Sequence, residues 1–174
     1  MNNRKKLKVA FLGGSQAGVI GALTLLSKGY KIIGAVSYFD KLTKILSSLK
    51  INLYSSVKDD NFLEVLKNCD ILISVHGREI VNSDQLKLPR LGCVNVHPYL
   101  YKYKGANPVK RAFDEKNFKA SVGIHKMTTD IDAGEVIVEN FVDASGAKTE
   151  AEIYNILYPH YAIALLKAHK IMKV

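Results

Sequence analysis

The chain has 174 residues, 48% of them hydrophobic and 24% charged, with a net charge of +9. That length favours one domain with a sizeable core, expected to run over residues 1–174, and the composition is that of an ordinary water-soluble protein. No apolar run approaches the ~20 residues needed to span a membrane, and the polar, basic start from Met1 to Lys8 does not read as a signal peptide.

In chain order, Lys8–Leu12 reads as a buried strand followed by a Gly13-Gly14-Ser15 turn, and Gln16–Lys28 as a helix that ends before Gly29. Lys31–Ser37 is a second strand, Lys41–Leu49 a second helix and Asn52–Tyr54 a short third strand. Asn61–Leu66 is helical, Ile71–Val75 is a fourth strand and Leu91–His97 a fifth. This alternation predicts an α/β fold with a doubly wound, Rossmann-like, mostly parallel sheet. The second half changes character. After a helix at Asn107–Glu115 come two β-like segments, Ala120–Met127 and Glu135–Val142, with no helix between them, so an antiparallel addition to the sheet is expected. Thr149–Met172 is helical, and Pro159 is expected to kink or break it. Its apolar face can pack on its own sheet or join two subunits as a homodimer.

Two cysteines, Cys69 and Cys93, lie in or beside apolar runs and read as buried thiols in a reducing, cytoplasmic setting. The positive charge is spread along the chain apart from Arg4, Lys5, Lys6 and Lys8; it suits anionic ligands better than a nucleic-acid stripe. No His/Cys cluster has metal-ligand spacing, so no metal is expected.

Asn95 and His97 stand two apart behind the apolar run Leu91 to Val94, and on a strand that spacing points both to one face. With a carboxylate from a distant segment, Asp132, an amide and an imidazole can hold a carbonyl oxygen, move a proton and orient the group that moves it. That is acyl-transfer machinery without a built-in nucleophile. Ligands in such folds collect at the carboxyl ends of strands, where Asn95 and His97 close the fifth strand. The Thr128–Gly134 loop can fold back over that edge, and His76–Asn82 follows the fourth strand on the same side.

Asn95-x-His97 followed by an aromatic, Lys-Gly loop, together with His125, Asp132 and Gly134, resembles the formyltransferase family that uses 10-formyltetrahydrofolate. Leu88–His97 is similar to the methionyl-tRNA formyltransferase version of the motif, and the likeness extends from about Lys8 to the C-terminal helix. The resemblance implies the formyltransferase fold and 10-formyltetrahydrofolate as formyl donor. It assigns Asn95 to donate to the formyl oxygen, His97 to bind the oxyanion and move a proton, and Asp132 to fix the imidazole or an ordered water and favour its protonated form. It places the pteridine between the loop after the fourth strand, where Glu79, Ile80 and Val81 match, and a wall of Thr129, Asp130 and Ile131. His125 either supports the site or contacts ligand, His76 is a candidate for its rim, and His160 and His169 read as structural or solvated.

Three acceptor classes compete. The Gly-Asn-Gly-Ser-Asn phosphate loop of glycinamide-ribonucleotide transformylases is replaced here by Gly13-Gly14-Ser15-Gln16, and methionyl-tRNA formyltransferases carry a further C-terminal domain for which 174 residues leave no room. Small amino-sugar N-formyltransferases resemble Pro98–Gly105 best, so a nucleotide-linked deoxyamino sugar is the expected substrate, with Tyr99, Tyr101, Lys102 and Lys104 as its tentative contacts. The tyrosines can stack on a sugar or a base, or pack within the loop. The rivals are a non-catalytic folate- or nucleotide-binding module and an NAD-binding oxidoreductase fragment; the glycine spacing of Gly13–Gly18 argues against the second.

Overall fold

The computed structural model describes residues 6–171, which leaves Arg4, Lys5 and Met172 of the expectations above outside the described residues. The chain divides into two compact units, Met1–Val94 and Asn95–Val174.

The first unit contains β1 (Lys8–Gly13), α1 (Ser15–Ser27), β2 (Lys31–Ser37), α2 (Asp40–Ser48), β3 (Leu53–Tyr54), α3 (Asp60–Asn68), β4 (Ile71–Val75) and the single-turn α4 (Ser83–Leu86). β1 pairs in parallel with both β2 and β4, and β2 with β3, giving the order β3-β2-β1-β4. The chain steps outward from β1 to β3 and then returns to the other side of β1, so the β1/β4 boundary is the switch point of a doubly wound sheet. β4 is buried along its whole length, and Phe11, Leu12, Leu72 and Ile73 are fully covered. This is the near-continuous apolar character of parallel strands packed on both faces. Amphipathic α2 and α3 bury Leu42, Leu46, Phe62, Val65 and Leu66.

β5 (Cys93–Pro98) leads into the second unit, which continues with α5 (Pro108–Asp114), β6 (Lys119–Lys126), β7 (Val136–Asp143) and α6 (Glu150–Ile171). β5 neighbours β6, and β6 pairs antiparallel with β7. The parallel strands of the first unit and the antiparallel pair of the second are the mixed α/β architecture expected from the sequence. α6 packs on β6, β7 and α5 through Ile153, Leu157, Tyr161, Ala164, Leu165 and Ala168. It is one continuous helix with Pro159 inside it, so the expected break does not occur. Proline removes its own backbone donor and crowds the carbonyl four residues back, but at an exposed position the long apolar face on either side keeps the helix together. α4 was not expected. Its signal is the reciprocal cap in Asn82-Ser83-Asp84-Gln85: the Asn82 side chain accepts from the Asp84 and Gln85 amides, and Gln85 Oε1 accepts from the Asn82 amide.

Candidate active site

The second unit gathers Asn95, His97, His125 and Asp132 around one carboxylate. Asn95 and His97 lie on β5, two residues apart, and the pleat sends both to the same side. Asp132 follows β6 in a loop, in a left-handed conformation (φ +50°) that aspartate tolerates better than most residues. Asp132 Oδ1 accepts from Asn95 Nδ2 at 3.2 Å and from His125 Nε2 at 3.1 Å. Its Oδ2 accepts from the Gly105 amide at 2.8 Å and lies 3.1 Å from His97 Nε2. Its side chain is 9% exposed. Burial acts to raise the pKa of this carboxyl, but the hydrogen bonds from His125 and His97, the attraction to His97 and the Gly105 amide outweigh it. Together they hold the group well below the usual carboxylate range.

Hydrogen-bond logic fixes the orientation of His97. Its Nε2 faces Asp132 Oδ2 and also the Gly105 carbonyl at 3.1 Å, both acceptors, so this nitrogen carries a proton. Nδ1 is buried and has no hydrogen-bond partner among the described residues, so it is the ring nitrogen that the fold leaves uncommitted. The Asn95 amide spends one of its two N–H groups on Asp132 and keeps the other. His125 is buried on β6 and belongs to the support of the site. Its Nε2 contacts Asp132 and its Nδ1 faces the Lys126 carbonyl at 2.8 Å, so both contacts are hydrogen bonds only when both nitrogens are protonated. The motif residue Gly134 also has a packing reason: a Cβ there would come within 1.9 Å of the Lys126 carbonyl oxygen.

The Pro98–Gly105 loop differs from expectation. Tyr99, expected to meet substrate, is fully buried; its hydroxyl donates to the Asn117 carbonyl and its amide to the Ser121 carbonyl. Burial, with smaller contributions from Tyr101 and Tyr103, pushes its phenol up to about 12. The ring serves the fold, because β5 ends there in a left-handed turn (φ +53°) that drops the side chain into the interior. Tyr101 is part exposed, its ring 5.3 Å from that of Phe141 and its amide bonded to Glu139. Lys102 is ion-paired with Glu115 at 2.8 Å, whereas Lys104 is exposed and its side chain makes no hydrogen bond or ion pair among the described residues.

In the first unit, His76 follows β4 with φ +57° and its Nδ1 lies 3.0 Å from Ser15 Oγ, at the switch point. The Glu79 side chain is occupied by the fold: it accepts from Tyr38 Oη, from Ser56 Oγ and from the Val57 amide. That leaves only the backbone of Glu79 for a ligand. Val81 is buried and Ile80 is 72% exposed; in the second unit Ile131 is 61% exposed, with Thr129 and Asp130 exposed beside it. None of these side-chain partnerships is visible in sequence spacing. Among the described residues no group of three or more His, Cys, Asp or Glu side chains is arranged to hold a metal ion, and no helix is long and apolar enough to cross a membrane.

The profile of a family described as "Formyl transferase" matches residues 46–168, more than half of the chain. The methionyl-tRNA formyltransferase of Wigglesworthia glossinidia brevipalpis is 29% identical over 175 residues, which cover 90% of this chain and 55% of that protein. The chain spans about half the length of the methionyl-tRNA formyltransferases it matches. Among solved structures, phosphoribosylglycinamide formyltransferase from Anaplasma phagocytophilum has a TM-score of 0.78 at 18% identity, covering 91% of this chain and 83% of that one. A formyltetrahydrofolate deformylase from Pseudomonas putida KT2440 has a TM-score of 0.73 at 18% identity, covering 94% and 64%. At these identities the structural likeness shows the fold, which is the fold of formyltransferases, while the profile match shows more: the chain belongs to the formyl transferase family.

Proposed function

We propose that the protein transfers a formyl group from 10-formyltetrahydrofolate to the amine of a nucleotide-linked deoxyamino sugar. The observation that carries the formyl-transfer reading is the buried, unpartnered Nδ1 of His97 beside an Asn95 amide with an uncommitted N–H, both aligned on one carboxylate. Such a site fits a carbonyl group between a hydrogen-bond donor and a proton carrier.

The donor supplies the formyl carbon. Asn95 donates its free N–H to the formyl oxygen as charge develops there. His97 Nδ1 carries the proton that leaves the attacking amine and delivers it to the departing nitrogen. One N–C bond forms, one breaks, and no net proton is consumed. Asp132 holds the His97 ring through Nε2 and the Asn95 amide through Oδ1. The exposed Ile131, with the backbone of Thr129 and Asp130, suits the apolar face and polar edge of a pteridine. Within the first unit, the backbone of Glu79, Ile80 and Val81 is separately proposed to contact a folate. Ile131→Asp and Ile80→Asp are each expected to weaken donor binding in an equilibrium titration.

The sugar acceptor is supported by the part-exposed Tyr101 ring and the uncommitted Lys104 on the loop that ends at Gly105, an aromatic face and a cation for a sugar nucleotide. The curated relatives named methionyl-tRNA formyltransferase favour a second reading, in which the amine is that of a charged tRNA. Mass spectrometry of protein, 10-formyltetrahydrofolate and a panel of amino-sugar nucleotides, methionyl-tRNA and glycinamide ribonucleotide decides between them. Addition of one formyl group to a sugar nucleotide is expected; formylation of methionyl-tRNA or glycinamide ribonucleotide alone would overturn the acceptor, and formylation of none would overturn the activity.

A further inference from the structure

We infer that Gly105 is the positioning residue of this site, and that the tyrosine loop in front of it is the template that holds Gly105 in place. The inference rests on the roles proposed for His97 and Asp132. Three contacts close a ring: the Gly105 amide donates to Asp132 Oδ2 at 2.8 Å, Asp132 Oδ2 lies 3.1 Å from His97 Nε2, and His97 Nε2 lies 3.1 Å from the Gly105 carbonyl oxygen. One residue therefore supplies a donor that fixes the carboxylate and, beside Asp132 Oδ2, one of the two acceptors that keep the proton of His97 on Nε2. Both groups flank one Cα, so the φ and ψ of Gly105 decide whether they can face the same pair of side chains. Here φ is +78°, a conformation L-residues rarely adopt.

The position of Gly105 is in turn built by contacts of the loop in front of it. The Tyr99 amide bonds to Ser121 and the Tyr103 amide to the Tyr99 carbonyl, Arg111 of α5 donates to the Lys104 carbonyl, and Leu100 packs where Gly123 leaves room for it. Tyr103 is buried with Arg111 against its ring, and its hydroxyl donates to Glu115 at 2.7 Å. Tyr99 and Tyr103 are thus explained as anchors for a peptide that faces the reacting groups.

The test compares Gly105→Ala, Gly105→Asn and Gly29→Ala. A Cβ meets nothing within 4 Å at either glycine, and φ at Gly29 is +81°, so both alanine variants carry the same backbone penalty without a steric clash. Asparagine tolerates the left-handed region and is the rescuing substitution. Nitrogen-15 NMR of the histidine rings distinguishes a protonated from a bare ring nitrogen in the protein alone. For His97 the Nε2–H pattern is expected in the wild type, in Gly29→Ala and in Gly105→Asn, and its loss in Gly105→Ala. With the acceptor that scores in the panel above, Gly105→Ala should lower kcat by about 10²-fold, the scale of a 1 Å misplacement, with the donor KM little changed. A wild-type His97 pattern in Gly105→Ala, or the same loss in Gly29→Ala, would overturn the inference. Failure of the underlying reading shows differently: His97→Gln would then retain turnover, whatever the NMR of the glycine variants.

Discussion

Asp132→Asn is the most direct perturbation of this centre, because it keeps the shape of the side chain and changes only what its second terminal atom can do. The carboxylate now takes N–H donors at both oxygens, Asn95 and His125 on one, Gly105 and His97 on the other. Whichever way a substituted amide is turned, its NH₂ meets two donors, so two of the four contacts become donor against donor. Hydrogen bonds to a charged group are worth ~1.5–3 kcal/mol each, so two give ~3–6 kcal/mol. Part of this is returned because a neutral amide does not bear the desolvation penalty of a buried carboxylate, which leaves a net loss of about 3 kcal/mol. For a chain of 174 residues that is a fall in Tm of about 6–12 °C, while a typical stability of ~5–15 kcal/mol keeps the variant folded. Circular dichroism melts at neutral pH read this effect. A variant that melts within about 2 °C of the wild type would refute the four-donor account of this carboxylate.

The depressed pKa of Asp132 gives an acid-limb prediction: its stabilisation is fully present above the unfolded value of ~3.9 and is lost as pH falls through the lower folded-state value. Melting temperatures taken downward from about pH 4 should therefore fall more steeply for the wild type than for Asp132→Asn, and parallel curves would contradict the shift. Asn95→Ala removes one proposed oxyanion donor and should cost about 2.7–4 kcal/mol in kcat, or roughly 10²–10³-fold, and because it also removes a donor to Asp132 it should cost ~1.5–3 kcal/mol of stability; near-normal turnover of the purified variant would reject the role. Gly123→Ala puts a Cβ 2.6 Å from Leu100 Cδ2 and 2.8 Å from Leu100 Cβ, and overpacking of this kind costs about 1–3 kcal/mol in denaturant unfolding. Adding Leu100→Ala should change that cost non-additively, because the two residues touch.

Residues whose meaning is local were legible in the sequence. The apolar runs Lys31–Ser37 and Ile71–Val75 predict β2 and β4 with the bounds the structure gives, because apolar runs bounded by turn residues have little other use. Asn95 and His97 were legible as a pair because a strand repeats every two residues. What escaped depends on partners distant in the chain. Glu79 looks like a surface loop residue until Tyr38, Ser56 and Val57 are brought to it. His125 becomes a support for Asp132 only once the loop after β6 has turned back. The burial of Tyr99 is not legible because nothing local separates a tyrosine that offers its ring to a ligand from one that buries it and keeps a polar tip bonded.

The arrangement also bears on whether transfer passes through the enzyme covalently. Nucleophilic catalysis needs a side chain whose nucleophilic form is populated, most often a thiolate near a base. Cys69 and Cys93 are both in the first unit and buried, and burial first of all pushes their thiols up to about 11 and about 12, so neither offers a thiolate at neutral pH. Ser121, beside the tyrosine loop, already donates to Glu139 at 2.7 Å. At the centre itself the groups left uncommitted are a hydrogen-bond donor on Asn95 and the Nδ1 of His97. Under the proposed roles the site would lower the barrier by orienting two bound reactants and by stabilising the oxygen that becomes anionic, and effective molarities of ~10⁵–10⁸ M show how much orientation alone can supply. Single-turnover experiments with labelled donor and no acceptor should then leave no formyl group on the denatured protein; a stoichiometric label retained through denaturation would replace direct transfer with a covalent route.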